Sequence, residues 1–251
     1  FVDTFLKLYP DVAVILNIDE DHLDYFKNLE NIIKSFRKFS EMATKALIIN
    51  GDDANTLKAV DGITGKEFIT FGLDSKNDYY AANIKKISGM ETEYTLMYKG
   101  KALGKINLHV AGVHNILNSL AAAAAAFYAN VSFESIQKGL SDFRGAGRRF
   151  ELIGKEKGIT IVDDYAHHPT ELSVTLKAAM DMGYNKVWAV FQPFTFSRTA
   201  ILLDDFAKAL SIPDNAVLTD IMGSREKNTY NIYTRNLAEK IDGCIYFPQD
   251  E

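Results

Sequence analysis

Cysteine is almost absent from this 251-residue chain, in which Cys244 is the only one. A disulfide within the chain is therefore impossible, which fits a reducing compartment, and we expect a cytoplasmic location. The chain also lacks any apolar run near the roughly 20 residues that cross a bilayer, and it begins without the basic segment of a signal peptide. We expect no insertion into a membrane.

An excess of positive charge is missing too, because 28 Lys and Arg are set against 33 Asp and Glu, for a net charge of −5. Binding to nucleic acid or to anionic lipid rests on clustered Lys and Arg, so we expect neither as a partner. Hydrophobic residues make up 47% of the chain and charged residues 24%, which is enough for one large domain or two ordinary ones. Composition does not indicate the oligomeric state.

The first half of the chain alternates strand and helix patterns. Residues 12–16 and 46–49 are continuous apolar runs, typical of strands buried on both faces of a parallel sheet, and apolar residues recur at helical spacing between them. From about residue 67 to residue 110 the period changes to two, which predicts an antiparallel excursion. An alanine-rich helix is predicted to follow Gly112, and Ser132 is the predicted N-cap of the next helix.

The second half begins after a polar, glycine-containing break, FRGAGRRFE. We place the domain boundary there, between residues 143 and 144. Apolar strand patterns then recur at 159–162, 187–191 and 216–218, with helical patterns between them. Strands that alternate with helices predict βαβ units in an α/β fold with a doubly wound sheet, whose ligands lie beyond the carboxyl ends of the strands.

Two polar clusters follow such positions in the first half. NIDEDHLD comes after the first strand, and His22 in it could supply one ligand of Mg²⁺, which prefers oxygen and keeps several waters. Taken alone, the segment fits a surface histidine beside helix-capping carboxylates slightly better. GVHNILN opens the alanine-rich helix, where Asn115 and Asn118 share one face and could read a purine edge, although Asn at a helix start is usually a cap.

Three further clusters lie in the second half. The 144–151 segment combines glycines with Arg148 and Arg149, which could hold a phosphoryl group; a solvated interdomain linker explains it equally well. DDYAHHPTE puts carboxylates and two imidazoles after a strand and before a helix begun by Pro169. Zinc is disfavoured there because no Cys or further His lies at a supporting spacing. Arg198 follows the next strand in FQPFTFSRT, where a surface role is the alternative.

Taken together and in this order, these segments resemble the Mur ligases of peptidoglycan synthesis. The segments that carry the resemblance are NIDEDHLDYF, AGVHNILNSLAAAAAA, FRGAGRRFE, DDYAHHPTEL, VFQPFTFSRT and DIMGSREK. DDYAHHPTE and FQP…SRT are specific to the branch that acts on UDP-N-acetylmuramic acid. The resemblance implies a partial P-loop-type central ATPase domain with an antiparallel β excursion over residues 1–143, and a Rossmann-like amino-acid-binding domain over residues 144–251.

The resemblance also implies a reaction. The γ-phosphate of ATP passes to the carboxylate of UDP-N-acetylmuramate, and the amino group of L-alanine attacks the acyl phosphate. By resemblance, His22 is a ligand of Mg²⁺, and Arg149, His167 and Arg198 are the catalytic residues, with Arg149 at the transferred phosphoryl group. The implied contacts to the nucleotide cofactor are His114, Asn115, Asn118, Arg148, Asp164 and Tyr165, of which Tyr165 also lies on the substrate side.

Parts of the family's pattern are not in this sequence. No G-x-x-x-x-G-K-[ST] phosphate loop occurs, and we expect the family's UDP-binding domain, an acidic metal ligand and the last strands to lie outside this chain. We therefore expect the chain to be inactive alone. Phe194 and Thr195 replace a His and a basic residue of relatives, so that carboxylate binding would rely on Arg198. Arg37 replaces the modified lysine of sister ligases, so no carbamylated lysine is expected.

Three alternatives remain open. A related ligase attaches a whole tripeptide to the same UDP-sugar, and FQPFTFSRT argues mildly against it. A nucleotide-binding module without turnover is compatible with the lack of a phosphate loop. A dinucleotide oxidoreductase is disfavoured because no G-x-G-x-x-G follows a strand.

Overall fold

The structure is a computed structural model that describes residues 3–87 and 90–248. The chain divides into two compact units, Phe1–Arg144 and Gly145–Glu251, one residue beyond the predicted boundary. Each unit has hydrophobic core residues of its own. None of the helices in the described residues is both long enough and apolar enough to cross a membrane.

The first unit is built on a six-stranded sheet whose strands lie side by side in chain order. The strands are β1 Val12–Ile15, β2 Ala46–Asn50, β3 Glu67–Gly72, β4 Tyr79–Lys86, β5 Thr92–Tyr98 and β6 Lys101–Leu108. Neighbours from β1 to β4 run parallel, whereas β4, β5 and β6 run antiparallel to one another. The antiparallel excursion predicted from residue 67 therefore begins one strand later, because β3 belongs to the parallel part.

Helices pack on this sheet from both faces. They are a 3₁₀ helix Thr4–Lys7, α1 Leu23–Phe26, α2 Leu29–Met42, α3 Ala54–Val60, α4 Val113–Tyr128 and α5 Phe133–Asp142. The alanine run of α4 lies in one core, and α2 and α3 pack against β1 and β2 in the other. Ser132 caps α5 and β2 is buried along its length, as predicted. The prediction that β1 is buried on both faces is wrong, since β1 lies at the sheet edge and Val14 is 40% exposed.

The second unit contains two separate sheets. β7 Glu151–Glu156 and β8 Ile159–Asp163 form an antiparallel pair, and β9 Trp188–Phe191, β10 Asn215–Thr219 and β11 Ile245–Phe247 form a parallel sheet in the order β11, β10, β9. The helices are α6 Pro169–Met180, α7 Phe196–Ile201, α8 Leu203–Leu210 and α9 Thr234–Ala238. The core of this unit lies between the parallel sheet and residues of α6, α8 and α9.

The predicted doubly wound sheet differs from this arrangement at β8. The sequence pattern places residues 159–162 in one sheet with the later strands, whereas the structure pairs β8 with β7. The reason is a tight turn at Lys157 and Gly158, which have φ values of 48° and 82° and fold β7 back onto β8. The polar composition of the segment before this turn hides β7 from a pattern search.

Candidate functional site

The loop after β1 leads to His22 and is fastened to the start of α3. The Ile18 N–H donates to Asp53 Oδ1 at 3.2 Å, and Asn55 Nδ2 donates to the Ile18 carbonyl at 2.9 Å. Asp53 is also the N-cap of α3, because its Oδ1 accepts from the Thr56 N–H at 2.7 Å. Two hydrogen bonds at one residue therefore fix the backbone that approaches His22.

His22 precedes α1 and has a left-handed backbone, with φ of 51°. Its Nε2 lies 3.5 Å from Asp21 Oδ2, and 43% of its side chain is exposed. An accessible imidazole and carboxylate can supply one or two ligands of Mg²⁺, while water and phosphate oxygens complete the set. Within residues 3–87 and 90–248, no three His, Cys, Asp or Glu side chains gather into a metal site. The donor set fits a cation that arrives with a phosphate.

The start of α4 carries three predicted nucleotide contacts. Gly112 has φ of 92°, and a Cβ there would lie 2.5 Å from Cε1 of His114, so only glycine leaves room for the imidazole. Asn115 Nδ2 donates to the Ala111 carbonyl at 2.6 Å, and Asn118 Nδ2 donates to Asn115 Oδ1 at 3.4 Å. The two amides share one face of the first turn, as their spacing predicts.

In the second unit, Asp164 ties two predicted site segments together. Its Oδ2 accepts from the Phe150 N–H at 2.7 Å, and its Oδ1 accepts from the Ala166 N–H at 2.7 Å. The Tyr165 N–H also donates to the Arg148 carbonyl at 2.7 Å. These bonds hold the arginine-bearing loop before β7 against the loop after β8. Asp164, a predicted nucleotide contact, thus has both oxygens engaged by backbone N–H groups.

The arginine loop has left-handed backbone on either side of Arg149. Arg148 has φ of 59° and Phe150 has φ of 49°, values uncommon for residues with side chains. Both guanidinium groups lie over the Tyr165 ring, at 4.8 Å for Arg148 and 5.5 Å for Arg149. Arg148 Nε also lies 3.5 Å from Asp163 Oδ2. Because the two arginine side chains are 65% and 53% exposed, these contacts orient the cations while leaving them accessible.

His167 has a defined proton position when its ring is neutral. Its Nδ1 lies 2.8 Å from the Tyr165 carbonyl, which can only accept, so Nδ1 carries the proton and donates. The lone pair then lies on Nε2. Glu171 Oε2 accepts from the His167 N–H at 3.0 Å, and the Tyr165 ring meets the imidazole edge-on with centroids 5.2 Å apart. His167 thus presents a proton acceptor beside the arginine loop.

His168 forms the N-cap of α6. Its Nδ1 accepts from the Thr170 N–H at 3.3 Å, so the proton of the neutral ring lies on Nε2. That Nε2 is buried and has no hydrogen-bond partner among the described residues. The second histidine of the pair therefore begins the helix, while the first faces the cluster around Tyr165.

Two protein-family models match the chain. The model described as "Mur ligase middle domain" matches residues 2–126, and the model described as "Mur ligase, glutamate ligase domain" matches residues 148–249. The chain belongs to the Mur ligase family. The first match lies within the first structural unit and the second match within the second.

Two curated relatives of this Mur ligase chain have the same name. The UDP-N-acetylmuramate–L-alanine ligase of Acetivibrio thermocellus is 44% identical over 260 residues, which cover 100% of the chain and 55% of the relative. The ligase of the same name from Caldanaerobacter subterraneus subsp. tengcongensis is 41% identical over 243 residues, covering 96% of the chain and 53% of the relative. The chain spans about half the length of these relatives.

A solved structure confirms the predicted fold class. The UDP-N-acetylmuramate-alanine ligase of Thermotoga maritima matches the chain with a TM-score of 0.75 at 25% identity. The match covers 98% of the chain and 53% of that structure. The two units therefore have the fold of the middle and C-terminal domains of a Mur ligase.

Arg198 lies in α7 of this Mur ligase chain, and the loop after β10 fastens the start of that helix. The Ser197 N–H donates to Glu226 Oε2 at 2.9 Å, and the Ser197 hydroxyl donates to Glu226 Oε1 at 2.6 Å. Gly223 in the same loop leaves room for Phe196, because a Cβ there would lie 2.4 Å from Cε2 of the ring. The DIMGSREK segment, which carries the family resemblance, therefore supports the helix that bears Arg198.

Two carboxylates at the site are not singled out by the sequence pattern. Glu171 contacts His167 from the first turn of α6, and Glu226 holds Ser197. The four-residue spacing of His167 and Glu171 at a helix start is a signal that could have found the first. Glu226 has no such signal, because 29 residues separate it from Ser197.

A cavity of about 710 Å³ lies between β8, α6 and β9. Asp163 and Asp164 are among its lining residues, whereas Arg149 and His167 are not. Most of the remaining wall is apolar and comes from the strands and α6. The cavity adjoins the charged cluster through the two aspartates, but the predicted catalytic residues do not line it.

Proposed function

We propose that this chain forms the middle and C-terminal domains of an ATP-dependent ligase that joins L-alanine to UDP-N-acetylmuramate in peptidoglycan synthesis. The observation that carries the proposal is that the Arg149 guanidinium and the His167 imidazole both lie against the Tyr165 ring, on loops joined by Asp164. The names of the curated relatives support the same reaction.

The first chemical step is phosphoryl transfer from ATP to the carboxylate of UDP-N-acetylmuramate. Negative charge is spread over the oxygens of the transferred group, and a guanidinium can meet two of them at once. Arg149 suits this role because its side chain is 53% exposed and its pair with Glu171 is 3.9 Å long. Arg148 and Tyr165 are the proposed nucleotide contacts beside it. Each oxygen of Asp164 accepts one hydrogen bond from a backbone N–H and keeps a further lone pair, with which it would accept a hydrogen bond from the nucleotide.

The second step is amide formation. The amino group of L-alanine attacks the carbonyl carbon of the acyl phosphate, phosphate leaves, and the nitrogen loses a proton. His167 is the proposed acceptor of that proton, since its Nδ1–H donates a hydrogen bond to the Tyr165 carbonyl and its Nε2 carries the lone pair. Arg198, at the start of the helix after β9, is the proposed partner of a substrate carboxylate.

The first unit is proposed to bind the nucleotide. The proposed adenine and ribose contacts are His114, Asn115 and Asn118. His22, with Asp21 beside it, would hold Mg²⁺, and the bound ion would neutralise charge on the phosphate oxygens. We also propose a cytoplasmic location, because the reaction consumes ATP and Cys244 is a free thiol.

The test is phosphate release from ATP by a protein in which this chain is joined to an upstream phosphate-loop segment. Release is expected only when UDP-N-acetylmuramate and L-alanine are both present. Equal turnover with a tripeptide in place of L-alanine would identify a tripeptide-adding ligase instead. The absence of turnover with every acceptor would identify a nucleotide-binding module.

The same assay tests Arg149. Arg149→Ala is expected to lower kcat by about a hundredfold or more and to change the KM for ATP little, because the lost contact forms mainly in the transition state. Arg144→Ala is the matched control, since the Arg144 guanidinium donates to the Ser141 and Phe143 carbonyls. An unchanged kcat for Arg149→Ala would remove this residue from the mechanism.

A further inference from the structure

We propose that Glu171 is a positioning residue that holds His167 and Arg149 beside each other. This inference rests on the ligase function proposed above. Glu171 Oε2 accepts from the His167 N–H at 3.0 Å and lies 3.5 Å from His167 Nδ1, while Oε1 lies 3.9 Å from Arg149 Nη1. One carboxylate thus contacts two predicted catalytic residues that come from separate segments of the chain.

Helix capping does not account for the position of this carboxylate. A glutamate at the third residue of a helix usually accepts from the N–H of the N-cap residue, which here is His168. His168 already caps α6 through its own Nδ1, which accepts from the Thr170 N–H at 3.3 Å. Glu171 instead reaches one residue further back, to the N–H of His167.

At His167 the carboxylate favours one arrangement of the ring. The Tyr165 carbonyl at 2.8 Å and the Glu171 carboxylate at 3.5 Å both lie beside Nδ1, and both favour a proton there. The lone pair is then kept on Nε2. A carboxylate on the Nδ1 side also stabilises the positive charge that the imidazole gains when Nε2 accepts a proton. Glu171 therefore prepares His167 for the role proposed above.

At Arg149 the same carboxylate makes a loose contact. The pair is 3.9 Å long, and the side chains of Arg149 and Glu171 are 53% and 39% exposed, so solvent screens their attraction. Among the described residues, no other carboxylate forms an ion pair with Arg149. Such a contact keeps the guanidinium near His167, yet a phosphoryl group with more negative charge can replace the carboxylate.

The test is Glu171→Gln in the protein in which this chain is joined to an upstream phosphate-loop segment. The amide removes the negative charge, and its NH₂ group would face donors on Arg149 and His167. We expect kcat to fall about tenfold or more while the KM values for ATP and L-alanine stay within about twofold. In protein labelled with ¹⁵N-histidine, we also expect the share of the neutral His167 ring that carries its proton on Nδ1 to fall, although the Tyr165 carbonyl still favours that position.

Two further variants separate positioning from a general effect on folding. Glu134→Gln removes a carboxylate from the first turn of another helix, α5, and is expected to leave kcat and the His167 signals unchanged. Glu171→Asp keeps the charge at the start of α6 but shortens the side chain by one methylene group. We expect Glu171→Asp to fold as the wild type does and to lower kcat as well, because its reach is lost.

The outcomes are distinct. A kcat of Glu171→Gln within twofold of an active wild type would overturn the inference, as would an equal loss in Glu134→Gln. An inactive wild type would overturn the proposed function, and the histidine signals would then decide the inference alone. If the tautomer populations of His167 are the same in Glu171→Gln and in the wild type, the inference about Glu171 is overturned.

Discussion

At the scale of single residues, left-handed backbone recurs in the predicted site segments. His22, Arg148, Phe150 and Thr195 have φ values of 51°, 59°, 49° and 66°, although each carries a side chain. Such conformations are costly and persist where surrounding contacts enforce them. Gly112, at the start of α4, also has a positive φ, of 92°, which a glycine adopts without this cost. Of these residues, His22 and Arg148 have proposed roles, and Phe150 is the neighbour of Arg149.

Gly112→Ala is expected to destabilise the first unit by about 1–3 kcal/mol, because the new Cβ meets the His114 ring and the backbone angle suits glycine. The affinity for ATP should fall with it in the protein in which this chain is joined to an upstream phosphate-loop segment. Urea unfolding and calorimetric titration with ATP would measure the two effects. Gly139→Ala is the control, since a Cβ there meets nothing within 4 Å, and it should be neutral or stabilising by up to about 1 kcal/mol. Equal stabilities of the two variants would contradict this account.

At the scale of elements, Asp52 accepts three hydrogen bonds from the segment that connects β3 to β4. The two strands are parallel although only residues 73–78 connect them, since they overlap by two residue pairs. Asp52 Oδ2 accepts from the Leu73 N–H at 2.6 Å and from the Asp74 N–H at 3.2 Å. Its Oδ1 accepts from Asn77 Nδ2 at 2.9 Å. The connection is therefore held by Asp52, together with Asp78, whose Oδ2 accepts from the Thr70 N–H at 2.9 Å.

The pKa of Asp52 gives this contact a pH dependence. Burial raises the pKa of Asp52, but the hydrogen bonds from Asn77, Leu73 and Asp74 outweigh burial and hold the pKa below its ordinary value. A depressed pKa in the folded state means that the ionised carboxylate stabilises the protein above pH 4 or so. That contribution is lost as the pH falls through the lower, folded-state value.

Asp52→Asn is accordingly expected to lower the free energy of unfolding of the first unit by about 1–3 kcal/mol at pH 7. The difference from the wild type should be smaller at pH 3, which is below the ordinary pKa of an aspartate, because part of the contribution of the ionised carboxylate is lost there. Urea unfolding at the two pH values would measure it. Glu30→Gln removes an exposed carboxylate that is 2.8 Å from Lys34 and should change stability by less than about 0.5 kcal/mol. A loss for Asp52→Asn that is equal at both pH values would contradict the assignment.

At the scale of the whole molecule, the chain is two units with separate cores. The clusters around α4 and around α2 belong to the first unit, and the cluster around α8 belongs to the second. Residues 143–146 between α5 and β7 have no helix or strand, and Phe143 and Arg144 are exposed. We therefore expect each unit to remain folded when the link is cut.

Limited digestion with trypsin is expected to cut first after Arg144, because exposed chain between elements is the preferred site of proteolysis. Mass spectrometry would identify the two fragments, and circular dichroism would show that each keeps its secondary structure. Arg144→Gln should slow this cut. Cleavage that begins inside either unit, or fragments that unfold on separation, would contradict a division at this point.

The sequence pattern predicts local elements well where one residue type dominates. The apolar run of β2, the alanine run of α4 and the Ser132 cap of α5 each follow from neighbouring residues alone. The same reasoning fails at β7, whose polar residues hide a strand, and at β3, which pairs in parallel despite its alternating pattern. Strand direction depends on the partner strand, and the sequence of one strand does not contain that information.

By itself, the sequence determined the family, the α/β class and the segments in which site residues lie, because motifs and periodicity are properties of consecutive residues. Only the tertiary structure decided which of these residues meet. Asp164 joins two loops and Glu226 holds a helix 29 residues away, through contacts whose direction depends on the packing of whole elements. The contact of Glu171 with His167 could have been predicted from their four-residue spacing. Its second contact, to Arg149, exists only because the chain brings the arginine loop back to α6.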